Sequence, residues 1–283
     1  MPKIIPFQYD EELKREIDLR GLSYRTFKQY RSYLRRISEH FDRDLAEISE
    51  NDVKTFLLYL KKDIGRSAQT VNLYRAAYLF FAQNILCIDV KIPSHKVRQK
   101  LPYIIPPEKI FAVLDAVPLK YRAVFSLCYG SGLRISEATG ILIEDIDSAR
   151  MKVFIRNGKG ERERYSILAE YSLSVLREYY RAFRPKGAYL FPNAVDASRP
   201  INSAHIFSLL SDTYAGLFPD DSKRITTHTL RRCFATHLLD SGVDLRTIQL
   251  LLGHKSIKST CIYIYLTDRH FAQIKSPLDR ERM

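Results

Sequence analysis

Four short stretches of the 283-residue chain hold side chains able to bind or attack an anion. The first is HTLRR, in which His228 and Arg231 stand three apart. Threonines precede it and Asp240-Ser241-Gly242 follow, so the spacing predicts a helix over 227–242. Both side chains then lie on one face of the first turn, where the helix dipole and unpaired N–H groups already favour an anion. His237 falls out of phase with His228 and is expected to pack or cap, and Arg232 points about 100° from Arg231.

The second stretch is SGLRISEA, residues 131–138, in which Arg134 opens a helix and Glu137 follows three residues later. The pair reads either as a surface ion pair worth less than about 1 kcal/mol or as a carboxylate that orients a reactive shell. The third is NGKG, residues 157–160, the turn of a β-hairpin with Lys159 at its tip, either solvated or swung into a cleft. The fourth is LLGHKSIKSTCIYIY, residues 251–265. A helix from Asp244 to Leu252 stops at Gly253, and His254 emerges directly after it. Beyond it STCIYIYL is poor in helix formers and alternates as a strand does. As a strand it would put Tyr263 and Tyr265 on one face; as a helix it would turn them about 200° apart, so that only one faces a given site.

The elements that position these residues fall into two groups. Residues 8–88 carry apolar side chains at three- and four-residue spacing, which predicts four helices. Basic residues alternate with aromatics along them, among them Arg25, Lys28, Arg31, Arg66 and Arg75, most of which read as solvated faces. Residues 91–109 hold four prolines and five basic residues without a helical period, and include Lys96, Arg98 and Lys100. This gives a helical domain over 1–90, a linker over 91–106 and a second domain over 107–283, the latter mainly helical around the hairpin. There is no internal repeat.

Composition narrows the partner. The chain has a formal charge of +13, and residues 1–100 hold 19 Lys and Arg against 13 Asp and Glu, so the excess is spread over both domains. A polyanion would gain affinity by releasing its counterions to such a surface. The first residues carry charge where a signal peptide needs an apolar core, and no run approaches the roughly 18 apolar residues of a membrane span. Four cysteines without CxxC spacing read as reduced thiols of a cytosolic protein.

The set SGLRISEA, NGKGERER, HTLRRCFATHLL and LLGHKSIKSTCIYIY resembles the tyrosine recombinases, which include phage integrases and Xer-type recombinases. The motifs stand in the family's order and cover roughly residues 105–275. The resemblance implies a mainly α fold with a small β-sheet in an α+β catalytic domain, and a SAM-like helical core-DNA-binding domain, the two closing on DNA as a C-shaped clamp. It implies that Arg134 and Arg231 grip the scissile phosphate, that Lys159 protonates the departing 5′-oxygen and that His228 acts as general base or hydrogen-bond partner. His254 would hold the phosphate or the leaving group, Tyr263 would be the nucleophile and Glu137 would support Arg134. Arg25, Lys28, Arg31, Arg66, Arg75, Lys96, Arg98 and Lys100 would contact DNA. The partner implied is double-stranded DNA with inverted-repeat core sites, bound by a homotetramer on two duplexes that exchanges its C-terminal tails, with DNA-bending accessory proteins. No metal or other cofactor is implied, and the expected location is the cytoplasm, at the nucleoid. The short Arg134–His228 interval is expected to lack the insertion of integron integrases, and the early start is expected to leave no room for an arm-binding domain, a layout closer to Xer-like or simple mobile-element enzymes.

The chemistry supports that implication independently of the name. A phosphodiester repels nucleophiles until its non-bridging oxygens are neutralised, and two guanidiniums do so with matched geometry. A phenol of pKa about 10 is ionised in only about one part in a thousand at pH 7, so it needs a base or a positive field. Three other readings compete: a DNA-binding regulator on the same fold that has lost cleavage, a type IB topoisomerase, and a zinc hydrolase using His228, His237 and His254.

Overall fold

The computed structural model describes residues 8–97, 102–156, 163–203 and 206–264. The chain divides into two compact units, Met1–Gln99 and Lys100–Met283.

The described residues of the first unit form four α-helices, α1 (Asp10–Leu19), α2 (Tyr24–Phe41), α3 (Glu50–Lys62) and α4 (Ala68–Asn84). Serine side chains start three of them. Ser23 accepts the N–H of Thr26, Ser49 that of Asp52 and Ser67 that of Thr70. Asp52 also returns a carboxylate to the Ser49 N–H, closing a capping box. The apolar stripes meet in a core built from Leu34, Ile37, Val53, Phe56, Val71 and Phe81. Each large apolar side chain withdrawn from water stabilises it by roughly 1.5–3 kcal/mol. Tyr78 is wholly buried there, and its hydroxyl donates to the Ile48 carbonyl at 2.8 Å.

The second unit opens with α5 (Pro107–Ala116), whose proline sits in the first turn where no N–H is needed. Next comes α6 (Leu119–Gly130), buried over the whole run Ala123–Cys128 because α8 (Glu170–Phe183) and α10 (Thr227–Asp240) pack against it. A short α7 (Ile135–Thr139) leads into an antiparallel sheet of order β1-β2-β3, comprising β1 (Ile146–Asp147), β2 (Lys152–Ile155) and β3 (Arg164–Ile167). The hairpin expected from the sequence is the β2–β3 pair, with Val153 opposite Ser166 and Ile155 opposite Arg164. β1 adds a third strand to it.

The faces of β3 run against simple hydrophobicity: Tyr165 and Ile167 are 59% and 41% exposed while Ser166 is buried. Ser166 is satisfied by donating its hydroxyl to the Ser131 carbonyl at 2.7 Å. The remaining helices are α9 (Ile206–Leu217), packed on α5, then α11 (Leu245–Leu252) and the single turn α12 (Lys258–Cys261). A second cluster joins Phe234, Ala235 and Leu239 of α10 to Ile248 and Leu252 of α11 and to Tyr263. The stretch read as strand or helix is therefore helical as far as it is described, and Tyr265 lies outside the described residues. Among the described residues no helix is long and apolar enough to cross a membrane.

Candidate active site

The site is assembled by close approaches that only small residues permit. After α6 the chain breaks at Gly132, φ +65°, where an added Cβ would lie 2.5 Å from the Phe234 ring of α10. The Gly132 carbonyl accepts Nη1 of Arg231 at 2.7 Å. Arg134 follows at the start of α7, and its backbone N–H donates to Glu137 Oε2 at 2.8 Å, so the carboxylate caps the helix that carries it.

Glu137 is the hub. Arg134 Nη1 donates to Oε1 at 2.8 Å, and Arg164 of β3 straddles the carboxylate with Nη1 and Nη2 at 3.0 and 2.8 Å. Arg231 Nη1 lies 3.5 Å from Oε2 and its Nη2 donates to the Leu252 carbonyl at 2.5 Å. Three guanidiniums thus share one carboxylate, and Arg231 is only 3% exposed. Burial alone would raise the Glu137 carboxyl, but the Arg164 hydrogen bonds and the cations around it hold it below the usual carboxylate range. Burial, then the charges of Arg134 and Arg164, push Arg231 down to about 10 against the pull of Glu137, so it stays charged at pH 7. The cluster carries surplus positive charge in a desolvated pocket, which suits an anionic ligand.

His254 and Tyr263 border this cluster. Gly253 ends α11 in the left-handed region, φ +67°, and His254 follows with its Nδ1 2.9 Å from the Thr260 hydroxyl. Thr260 is wholly buried in α12, and its carbonyl accepts the Tyr263 N–H at 3.0 Å. The Tyr263 ring lies 6.5 Å from that of His254 at 16°, and the residue is 5% exposed. Burial raises the phenol pKa, while Arg231, Arg232 and Arg134 pull it back. Burial, then the charges of Arg231, Arg134 and Arg164, push His254 down to about 4. His228, an exposed residue one turn before Arg231, is also lowered, by desolvation first and then by Arg231, Arg232 and Arg134.

The structure therefore brings Arg134, Glu137, His228, Arg231, His254 and Tyr263 together. Lys159 lies outside the described residues. His237 stands apart, with its Nδ1 2.9 Å from the Tyr129 hydroxyl. Among the described residues no three His, Cys, Asp or Glu are grouped as metal ligands.

In the first unit Arg25, Lys28 and Arg66 are exposed, Lys28 lying over the Tyr24 ring at 4.8 Å. Arg31 is forked onto Asp10 at 2.5 and 2.8 Å, and Arg75 Nε donates to the Ile92 carbonyl at 2.5 Å, so both also hold the unit together. Lys96 is exposed; Arg98 and Lys100 lie outside the described residues.

Sequence reasoning missed Arg164 and Thr260 and set Arg232 aside. A charged residue in phase with buried Ser166 and Leu168 was the available signal for Arg164. Thr260 carried none, because a threonine in a short helix is usually only a polar face.

Two of these shifts give a stability prediction. His254 and His228 titrate near 6.5 when unfolded and lower when folded, so below that pH the unfolded chain binds more protons. The melting temperature is expected to fall as the pH drops from about 6.5 toward about 4, and His254→Gln is expected to flatten that fall. Thermal scans at pH 7, 6 and 5 would check it; identical slopes for the two proteins would contradict it.

The comparisons with known proteins agree with one another. Residues 107–270 match the phage integrase family and residues 11–92 its N-terminal SAM-like domain. The chain is 35% identical to y4qK of Sinorhizobium fredii over 95% of its length and 88% of that protein. It is 31% identical to the tyrosine recombinase XerA of Thermococcus kodakarensis, over 98% of both chains. Among solved structures, the XerH site-specific recombinase bound to palindromic difH substrate in a post-cleavage complex matches with a TM-score of 0.72 and 21% identity, over 93% of this chain and 83% of that one.

Proposed function

The chain belongs to the phage integrase family and is a tyrosine-type site-specific recombinase, and from that premise we propose that it cuts and rejoins double-stranded DNA through Tyr263. Arg134 and Arg231 bind the non-bridging oxygens of the scissile phosphate. Tyr263 Oη attacks phosphorus and His228 takes the phenolic proton. The P–O5′ bond breaks, Lys159 gives its proton to the departing 5′-oxygen, and a 3′-phosphotyrosyl link remains. When Thr260 donates its hydroxyl to His254 Nδ1, the proton of the neutral ring lies on Nε2, available to a phosphate oxygen. A second 5′-hydroxyl reverses the steps on a new partner. The ester keeps the bond energy, so resealing needs no ATP.

The observation that carries this reading is the convergence of Arg134 and Arg231 on one carboxylate, with His254 and Tyr263 alongside. The acting form is a homotetramer on two duplexes, each site an inverted repeat around a short spacer, with C-terminal tails exchanged between protomers and DNA-bending proteins assisting. The palindromic substrate of XerH supports the inverted repeat. Arg25, Lys28, Arg66 and Lys96 meet the DNA backbone, joined by Arg98 and Lys100.

The test uses a duplex selected by the protein from a random DNA pool, then nicked beside the cleavage point so that the freed strand diffuses away. A covalent adduct on a denaturing gel is expected from the wild type and from Tyr265→Phe, and no adduct at all from the wild type would sink the proposal. Lys159→Ala is expected to slow adduct formation about 100-fold or more, the contribution of a general acid, with little change in DNA affinity. A bridging 5′-thio substrate, whose thiolate departs without a proton, should restore the rate. Equal losses of rate and affinity, or no rescue, would make Lys159 a phosphate contact only.

A further inference from the structure

We propose that Arg164 is a positioning residue that locks the phosphate-binding arginines to the segment bearing His254 and Tyr263. The inference rests on the recombinase reading above and adds to it a residue with no assigned part. Arg164 is only 8% exposed at its side chain and spends its donors in two directions. Nη1 and Nη2 hold Glu137, the carboxylate that also binds Arg134 and Arg231, while Nε donates to the Leu251 carbonyl at 2.9 Å. Leu251 belongs to the last turn of α11, where carbonyls lack intrahelical partners and a cation is favoured. The next carbonyl, Leu252, is taken by Arg231. One end of α11 is thus pinned by two guanidiniums that meet at a single carboxylate.

The chain leaving α11 is moulded to this pin. An added Cβ on Gly253 would lie 2.8 Å from Arg164 Cδ and 3.0 Å from both Nε and Nη1. His254 follows immediately, and Thr260 ties its ring to the turn that leads to Tyr263. A planar fork with donors on two edges performs this bridge; a lysine ammonium, a point charge on a flexible stem, does not. The charge of Arg164 is therefore not its essential property, since Arg134 and Arg231 already supply positive charge to the same pocket.

The experiment compares Arg164→Lys, Arg164→Gln and Gly253→Ala with the wild type, using the nicked duplex for single-turnover adduct rate and for affinity by fluorescence anisotropy. Arg164→Lys, which keeps the charge, is expected to slow adduct formation about 100-fold, as misplacement of reacting groups by about 1 Å does, with affinity within about threefold of wild type. Arg164→Gln should be as slow. Gly253→Ala removes no charge and presses on the same guanidinium, so it should also lower rate rather than affinity, and it decides the matter if the Arg164 variants do not fold. Arg164→Lys reacting at the wild-type rate would overturn the proposal, as would losses shared equally between affinity and rate, or an unimpaired Gly253→Ala. If the wild-type adduct itself survives Tyr263→Phe, the recombinase assignment of Tyr263 fails first and this proposal falls with it. A Tyr263-dependent adduct that Arg164→Lys forms at full rate defeats this proposal alone.

Discussion

Changing Tyr263 to phenylalanine is expected to abolish the covalent protein–DNA product while leaving fold and DNA affinity in place. The ring packs with Phe234 and Leu252 in the cluster between α10 and α11, and phenylalanine keeps that apolar area. Losing a hydroxyl costs about 1 kcal/mol or less when no partner is left unsatisfied, a shift of a few degrees in Tm. The chemical loss is of another order, because no other atom of the side chain can attack phosphorus. Burial holds the phenol above its ordinary pKa. In the free protein it is thus fully protonated at neutral pH, and transfer of its proton must accompany attack. Adduct formation in the variant should fall below detection on a denaturing gel, with the melting curve and the anisotropy titration superimposing on wild type. An adduct of wild-type intensity would remove Tyr263 from the mechanism.

The second large effect is expected at Glu137. Glu137→Gln keeps the shape and removes the carboxylate that Arg134, Arg164 and Arg231 share. Breaking a buried ion network from one side costs about 3–5 kcal/mol, because the remaining charges stay desolvated and repel each other. Denaturant titration at pH 7 should show a loss of that size, together with slower adduct formation. The sign with pH is fixed by the direction of the shift. Glu137 is held below its unfolded pKa of about 4.3, so its contribution is present above that value and disappears as pH falls through the folded pKa. The gap between wild type and variant should accordingly narrow on acidification. Added sulfate should stabilise Glu137→Gln more than wild type, since an anion then replaces the missing charge. An unchanged denaturation midpoint would show that the arginines do not depend on Glu137.

Much of this was legible in the residues themselves. The apolar spacing marked the four helices of the first unit, and Gly253 marked the end of α11, because these signals are local. The hairpin followed from alternation around NGKG, but β1 did not, since a two-residue strand borrows its pairing from β2 and has no period of its own. The carboxylate at 137 was visible as a helix neighbour of Arg134; its true company was not, because Arg164 and Arg231 reach it from 27 and 94 residues away. The pattern of STCIYIYL left strand and helix both open for a similar reason. Its β-branched residues fill space against α10 and α11 rather than a sheet, with Thr260 and Tyr263 buried. What the sequence supplied was a set of reactive side chains in order; what only the fold supplies is the arginine that joins them.

The most direct measurement is the site of DNA attachment. The covalent complex formed on the nicked duplex would be trimmed with nuclease and digested with trypsin, and the nucleotide-bearing peptide sequenced by mass spectrometry. Cleavage after Lys258 and Arg269 leaves both tyrosines on one peptide, and fragmentation separates them. The nucleotide is predicted on Tyr263, and a nucleotide on Tyr265, or on a residue outside this peptide, would contradict the account.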